Sequence, residues 1–174
     1  MRILLITLLA TILLTACGAD SHSRALKLSD LIFGENRLGD ECSLAETDSD
    51  GTSQGNPVLS SESGYVEKLT TQWLDEESAD RARKVLIASY YEEGETGEVR
   101  LIGIEFDSNS SANSAAKLLK KSHPDESCNI IYRENDIVIW LKQDNDSTDK
   151  CFKKFEDLVE EEVREAGLDI LKHF

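Results

Sequence analysis

The sequence feature that most constrains the fold is a pattern that occurs twice, in which two β-prone runs precede a helical run. In its first occurrence, residues 84–91 and 98–106 are rich in β-branched and aromatic side chains, and Gly94 and Gly97 between them suit a turn. Residues 114–121 follow with high helix propensity and a basic last turn. This part of the chain therefore predicts a β-hairpin followed by a helix.

The second occurrence has the same order. Residues 129–133 and 136–142 flank a tight polar turn at 134–135, which predicts another antiparallel hairpin. Residues 149–166 then form an amphipathic helical run that Gly167 can end. The apolar stripe of this helix consists of Cys151, Phe152, Phe155, Leu158, Val159 and Val163.

The two occurrences together predict an α+β fold in the order ββαββα, a small antiparallel sheet of two hairpins that are each followed by a helix. Helices that are apolar on one side most simply cover one face of such a sheet, so we expect both on the same face. We assign residues 65–174 to this single α+β domain. At its start, residues 65–74 fit either a helix or a strand, and their threonines and aromatic residues favour a strand.

The segment before this domain, residues 17–64, is expected to contain a tether, a short helix and a disordered, low-complexity acidic loop. Residues 25–33 have apolar positions at helical spacing, whereas residues 39–64 are rich in Ser, Gly, Asp and Glu. Within that loop, residues 48–51 (Asp-Ser-Asp-Gly) resemble part of a calcium loop. The position that needs a bidentate Glu falls on Pro57, so we predict an acidic linker rather than a metal site.

The chain begins with the basic residue Arg2, an uncharged apolar run over residues 3–14, and small residues before Cys17. This arrangement is typical of a secretory signal peptide, and the run is too short to span a bilayer. The motif Leu14-Thr15-Ala16-Cys17 resembles the lipobox of bacterial lipoproteins. The resemblance covers the leader alone.

What the resemblance implies is cleavage between Ala16 and Cys17, which leaves residues 1–16 as the signal peptide, and lipid attached through the Cys17 sulfur. Several acyl chains such as palmitate would hold the protein firmly in a membrane, whereas one short chain holds only marginally. In enteric-type bacteria, Asp after this cysteine marks retention in the inner membrane. Gly18 therefore favours the outer membrane of the cell envelope, facing the periplasm.

Charge limits the partners of the mature chain. The sequence has 34 Asp and Glu against 19 Lys and Arg, a net charge of −15, and loss of Arg2 with the leader lowers this to −16. We expect no binding to nucleic acid, because phosphate contacts need a basic surface. The charge fits either solubility or an acidic face that attracts a basic envelope protein.

The cysteines predict a disulfide. With Cys17 assigned to lipid, Cys42, Cys128 and Cys151 remain in an oxidising compartment, where they allow one bridge and one leftover thiol. We predict a bridge between Cys128, at the entrance of the second hairpin, and Cys151, in the first turn of the closing helix. A bridge to Cys42, or three free thiols, is the alternative.

No catalytic or cofactor motif is recognisable. His22, His123 and His173 lie in no motif with a nucleophile, and the sequence has no phosphate loop, dinucleotide glycine pattern or metal-ligating CxxC. Five aromatic residues are expected in the core or on sheet faces rather than in a ligand platform: Trp73, Tyr90, Tyr91, Tyr132 and Trp140. We therefore predict no catalytic residues, no metal and no cofactor.

The function predicted from the sequence is that of a membrane-anchored envelope lipoprotein, a non-enzymatic binding, inhibitor-like or scaffolding module for another envelope component. The alternative is an envelope hydrolase with a carboxylate-based site. An acidic or aromatic patch on one sheet face would favour binding, and a deep cleft with a close carboxylate pair would favour the hydrolase.

Overall fold

A computed structural model of the chain describes residues 24–45, 55–91, 98–124, 129–143 and 149–166. These residues form an α+β fold with one antiparallel sheet, which confirms the predicted fold class. The strands are β1 (Ser43–Leu44), β2 (Val58–Ser60), β3 (Ala82–Tyr91), β4 (Glu98–Phe106), β5 (Asn129–Glu134) and β6 (Ile137–Gln143). The α-helices are α1 (Glu35–Leu38), α2 (Ser63–Thr70), α3 (Glu76–Asp80), α4 (Asn109–Ser122) and α5 (Asp149–Glu165), with 3-10 helices at Leu28–Leu31 and Gly39–Glu41.

The sheet has the order β3-β4-β6-β5, and β1 and β2 share the outer edge of β3. Both predicted hairpins are present, as β3–β4 and β5–β6, and they are followed by α4 and α5. The second hairpin turns at Asn135, whose φ of 48° is a left-handed conformation that Asn tolerates in tight turns. Because β6 pairs with β4, β5 is the last described strand of the sheet on the side away from β3.

Asn56 fills the gap between β1 and β2 along the edge of β3. Its Nδ2 donates to the carbonyl oxygens of Ala45 and Ser89, at 2.9 and 2.6 Å. The main-chain N–H of Ser89 donates in turn to Asn56 Oδ1, at 2.9 Å. The amide side chain therefore satisfies main-chain groups that a continuous edge strand would otherwise pair.

The sheet is covered on both faces, so the expectation that both helices lie on one face is wrong. On one face, α5 contributes Phe155 and Val159 to a core cluster. On the other face, α4 contributes Ala115 and Leu119 to a second cluster. The physical reason lies in the central strands, because residues 85–90 of β3 are buried at every position and so need cover on both sides.

The segment from Leu28 to Leu38 belongs to the core on the α5 side. Its large apolar side chains, each at most 1% exposed, are Leu28, Leu31, Phe33 and Leu38. Gly103 in β4 makes room for the segment, since a Cβ there would lie 2.8 Å from a methyl carbon of Leu28. The folded domain thus includes residues that we expected to be tether and loop, and the short helix expected over residues 25–33 is a 3-10 helix.

Residues 65–70 form a helix rather than the strand that their composition favours. They belong to α2, whose Val66 and Leu69 pack into the core on the α4 side. The Thr70 hydroxyl donates to the Val66 carbonyl oxygen at 2.9 Å, so its polar group is satisfied inside the helix. Packing of an apolar helical face outweighs local strand propensity here.

The disulfide joins Cys42 to Cys151, whose Cα atoms lie 5.5 Å apart. The predicted pairing of Cys128 with Cys151 is therefore wrong, and Cys128 itself lies outside the described residues. The reason is the packing of the N-terminal segment, which buries Cys42 in the core on the α5 side instead of leaving it in a loop.

The signal peptide, Cys17 and the calcium-like residues 48–51 also lie outside the described residues. Within the part of the chain that the structure describes, no helix is both long enough and apolar enough to cross a membrane.

Candidate functional site

Helix α5 carries an acidic face on the side opposite its apolar stripe. The predicted stripe is confirmed, since all six of its side chains are buried. The acidic face consists of Glu156, Asp157, Glu160, Glu161 and Glu165. The side chains of Asp157 and Glu161 are 61% and 52% exposed, so this surface presents carboxylates to solvent.

Two cations of α5 itself contact part of the acidic face. Lys153 Nζ lies 2.7 Å from a carboxylate oxygen of Glu156 and 3.2 Å from one of Asp157, and Arg164 lies 4.0 Å from Glu160. Lys153 and Asp157 are 62% and 61% exposed, and an exposed pair of this kind is weak because water and salt screen it. A cationic partner can therefore replace the contact between Lys153 and Asp157 at little cost.

The acidic face adjoins the last strand of the sheet. Tyr132 of β5 is 2% exposed and belongs to the core cluster on the α5 side. Burial raises the pKa of its hydroxyl, and the negative charges of Glu156, Glu160 and Asp157 raise it further. These three carboxylates therefore lie close enough to Tyr132 to act on its hydroxyl.

The other side of β5 has a different character. Arg133 Nη1 donates to Asn109 Oδ1, at the first residue of α4, over 2.5 Å. Ile131 is half-buried against the core cluster on the α4 side. The same strand thus has carboxylates near one face and an apolar side chain with a guanidinium on the other.

The N-terminal segment is fastened to α5 by charge and by an aromatic contact. Arg37 forms ion pairs with Glu162 and with Glu161, the second at 2.8 Å. Its guanidinium also lies 5.1 Å from the centre of the Phe33 ring. With the disulfide, these contacts hold residues 33–42 along α5.

The first described residue, Arg24, lies beside the last turn of α5. It pairs with Asp30 at 2.6 Å and lines a cavity of about 60 Å³ together with Glu165 and Ala166. The chain therefore joins the folded domain at the C-terminal end of α5.

An open groove of about 660 Å³ lies between α3 and α4. Its carboxylates hold the starts of these helices, because Asp75 accepts from the Ser78 N–H at 2.9 Å and Asp107 accepts from the Ser111 hydroxyl at 2.7 Å. These hydrogen bonds lower the pKa of both carboxyl groups. A general acid needs a raised pKa, so neither carboxyl group suits that role.

His123 lies just after α4, with its ring centre 4.5 Å from that of Trp140. Burial lowers the pKa of His123, and the positive charge of Lys142 lowers it further. These contacts fit the expected loop residue packed against the core. His22 and His173 lie outside the described residues.

The aromatic residues largely follow the expectation that they belong to the core and the sheet faces. Tyr90, Tyr132 and Trp140 are at most 2% exposed, whereas Trp73 and Tyr91 are half-buried. In the described part of the chain, no three or more His, Cys, Asp or Glu side chains are grouped so that they could hold a metal ion.

Of the predicted lipid and cleavage residues, Ala16 and Cys17 lie outside the described residues, and so does Cys128. The acidic face is a feature that sequence reasoning missed as a located surface. Its signal was present, because residues 156–165 place acidic side chains opposite the apolar stripe at helical spacing. The position of β5 at the sheet edge had no such local signal.

No protein-family model matches the chain, and no curated protein or solved structure is significantly similar to it.

Proposed function

We propose that the protein is a lipid-anchored lipoprotein of the cell envelope that binds a basic envelope component through the acidic face of α5. The observation that carries this proposal is the acidic face itself, where exposed carboxylates lie beside the last strand of the sheet. The role is that of a non-enzymatic module, which scaffolds or inhibits the component that it binds.

The leader and the disulfide support the cellular setting. The motif ending at Cys17 supplies the lipid attachment and the membrane partner, as its resemblance to a lipobox implies. The bridge between Cys42 and Cys151 fits an oxidising compartment, because thiols are kept reduced in the cytosol. Together with Gly18 after the cysteine, these two features support export and anchoring at the periplasmic side of the outer membrane.

The charge supports the kind of partner. A net charge of −15 opposes binding to anionic bilayers and nucleic acid, and it favours the approach of a basic protein. Long-range attraction speeds association more than it slows dissociation. Faster association through electrostatic attraction suits a tethered domain, because the domain cannot diffuse freely to find its partner in the envelope.

The test is a pull-down from envelope extract with residues 18–174, which retain every described residue. The wild-type chain should retain a basic protein that a variant with a neutralised acidic face loses. The substitutions are Asp157→Asn, Glu161→Gln and Glu165→Gln, all at exposed positions.

The matched control makes the same change of charge on another helix. Glu76→Gln, Glu77→Gln and Asp80→Asn neutralise three exposed carboxylates of α3. This variant should retain the basic protein as the wild type does. Equal retention by both variants would show that the acidic face does not select a partner.

Association kinetics with the retained protein give a second measurement. The association rate should fall steeply as the Debye length shortens from about 30 Å at 0.01 M salt to about 8 Å at physiological strength. Dissociation should change much less. If the association rate does not depend on salt, the acidic side chains do not attract the partner and serve only to keep the surface solvated.

A further inference from the structure

We propose that the open groove between α3 and α4 binds an anionic oligosaccharide. Helix α4 covers the face of the sheet opposite to α5, so this inference concerns a second surface and does not rest on the proposed function. Three features of the groove support it, namely its polar lining, a row of unbonded side chains on α4, and the charge of that row.

The lining of the groove is almost entirely polar. Leu118 is the only apolar residue among the twelve that line it. Its volume of about 660 Å³ falls in the range of small-molecule sites, ~300–1,000 Å³, but most such sites are lined mainly by apolar side chains. This groove therefore suits a ligand that has polar groups along its whole length.

One wall of the groove is a row of polar side chains on α4. The row consists of Ser110, Ser114, Lys117 and Lys121, and all four residues line the groove. Their spacing of four, three and four residues places them on one face of the helix. At a rise of about 1.5 Å per residue, the row is about 16 Å long. Hydroxyl groups occupy its first half and ammonium groups its second half.

The side chains of this row have no partner within the described part of the chain. None of its two hydroxyl and two ammonium groups forms a hydrogen bond or an ion pair with another described residue. Ser114 lies inside α4, where serine is a weaker helix former than alanine, and its hydroxyl gains no bond in return. A ligand can therefore bond to the row without displacing a contact of the protein.

The charge of the row favours an anion. Lys117 and Lys121 are four residues apart on one helix face, where like charges repel each other. Two carboxylates of the groove are engaged elsewhere, since Asp107 pairs with Arg81 at 3.3 Å and Asp75 caps the start of α3. An anionic group between the two ammonium groups would remove their repulsion and accept charge-assisted hydrogen bonds from both.

The hydroxyl half of the row and the opposite wall favour a saccharide. A serine hydroxyl both donates and accepts, and Glu77 of α3 offers a carboxylate as a further acceptor. Sugar hydroxyl groups have the same dual capacity and occur on every ring, so an oligosaccharide can bond along the whole row. A small anion without hydroxyl groups would reach Lys117 and Lys121 and leave Ser110 and Ser114 unbonded.

The experiment is isothermal titration of residues 18–174 with three probes. Trigalacturonate has acidic groups and hydroxyl groups, maltotriose has hydroxyl groups without charge, and a blocked tri-glutamate peptide has carboxylates without sugar rings. The titrations are made at 0.15 M salt, where a Debye length of about 8 Å screens the distant negative charge of the chain.

Trigalacturonate should bind at least about tenfold more tightly than either of the other probes, because only it bonds to both halves of the row. If tri-glutamate binds equally well, charge alone holds the ligand and the saccharide assignment is wrong. Equal binding of maltotriose would show that the lysines take no part. Absence of trigalacturonate binding would overturn the proposal outright.

A double variant tests the anion contact from the side of the protein. Lys117→Gln with Lys121→Gln should weaken trigalacturonate binding about tenfold. The matched control is Lys68→Gln with Lys150→Gln, which makes the same change of charge at exposed positions of α2 and α5 and should leave binding unchanged. Circular dichroism checks that both variants fold. Equal weakening in both variants would mean that the groove does not hold the anion.

Ser114→Ala tests the hydroxyl half of the row without altering charge. It replaces serine with a better helix former, so the fold should be kept while trigalacturonate binding falls several-fold. Unchanged binding would contradict the role of the hydroxyl row. The variant with the neutralised acidic face of α5 should bind trigalacturonate as the wild type does. Loss of saccharide binding in that variant would place the site on α5 instead, whereas the pull-down of a basic protein stands or falls independently.

Discussion

Cys42 and Cys151 are joined by a disulfide although they are 109 residues apart in the sequence. The bridge connects the end of the N-terminal segment to the first turn of α5, so it closes a loop that contains all six described strands of the sheet. The bridge therefore fixes both the position of the acidic helix and the path by which the chain joins the domain.

Removal of this bridge should strongly destabilise the protein. In the chain-entropy model, a loop of about 100 residues contributes about 4.7 kcal/mol, so Cys42→Ser should lower the free energy of unfolding in urea by up to that amount. Cys128→Ser is the control and should change stability little. Peptide mapping under non-reducing conditions should recover Cys42 joined to Cys151, with one reactive thiol left in residues 18–174. A fragment joining Cys128 to Cys151 would contradict the structure.

Substitution of Asn56 should weaken the sheet edge. Asn56→Ala leaves the N–H of Ser89 without its acceptor and should cost about 1–3 kcal/mol in the free energy of unfolding. Asn36→Ala, at an exposed position of α1, should change stability by no more than about 0.5 kcal/mol. Similar losses for both variants would mean that the amide bridge between β1 and β2 contributes nothing specific.

Alkaline pH should destabilise the fold through Tyr90. Burial raises the pKa of Tyr90 from 10.0 to about 12, so the unfolded chain ionises first as pH rises. The stability is retained below pH 10 and lost between pH 10 and 12, by about 1.4 kcal/mol per pH unit for this group. Tyr90→Phe should flatten that part of the stability curve relative to the wild type. An unchanged slope in the variant would rule Tyr90 out as the cause.

Cys17→Ser should abolish lipid attachment, because it removes the sulfur that the lipobox resemblance assigns to acylation while keeping the apolar run. Labelled palmitate should enter the wild-type chain and not the variant. A Cys128→Ser variant should label like the wild type. Palmitate in the Cys17→Ser protein would contradict the lipoprotein proposal.

The sequence predicted those parts of the fold that local pattern controls. Gly94 and Gly97 between two β-prone runs led to the first hairpin, and the apolar stripe from Cys151 to Val163 led to α5. The role of the N-terminal segment was missed, because nothing near Leu28 or Phe33 shows that they pack under a distant helix. The same long-range packing places Cys42 beside Cys151.

The sequence of β3 does indicate that both faces of the sheet are covered. The unbroken run Val85-Leu86-Ile87-Ala88 lacks the alternation of a strand with one wet face. The candidate site likewise has one part that local sequence pattern predicts and one part that it does not. Carboxylates opposite the stripe of α5 can be placed from the sequence, whereas the edge position of β5 depends on strand order, which local pattern does not encode.

The position of Arg24 beside the last turn of α5 limits the distance between the folded domain and a bilayer. If Cys17 carries lipid as we propose, only seven peptide units separate the membrane from Arg24, a reach of at most about 25 Å. The C-terminal end of α5 is then the end nearest the lipid headgroups. The protein would meet only partners that come within that short distance of the membrane. The length of residues 17–24, rather than the partner, would set this distance.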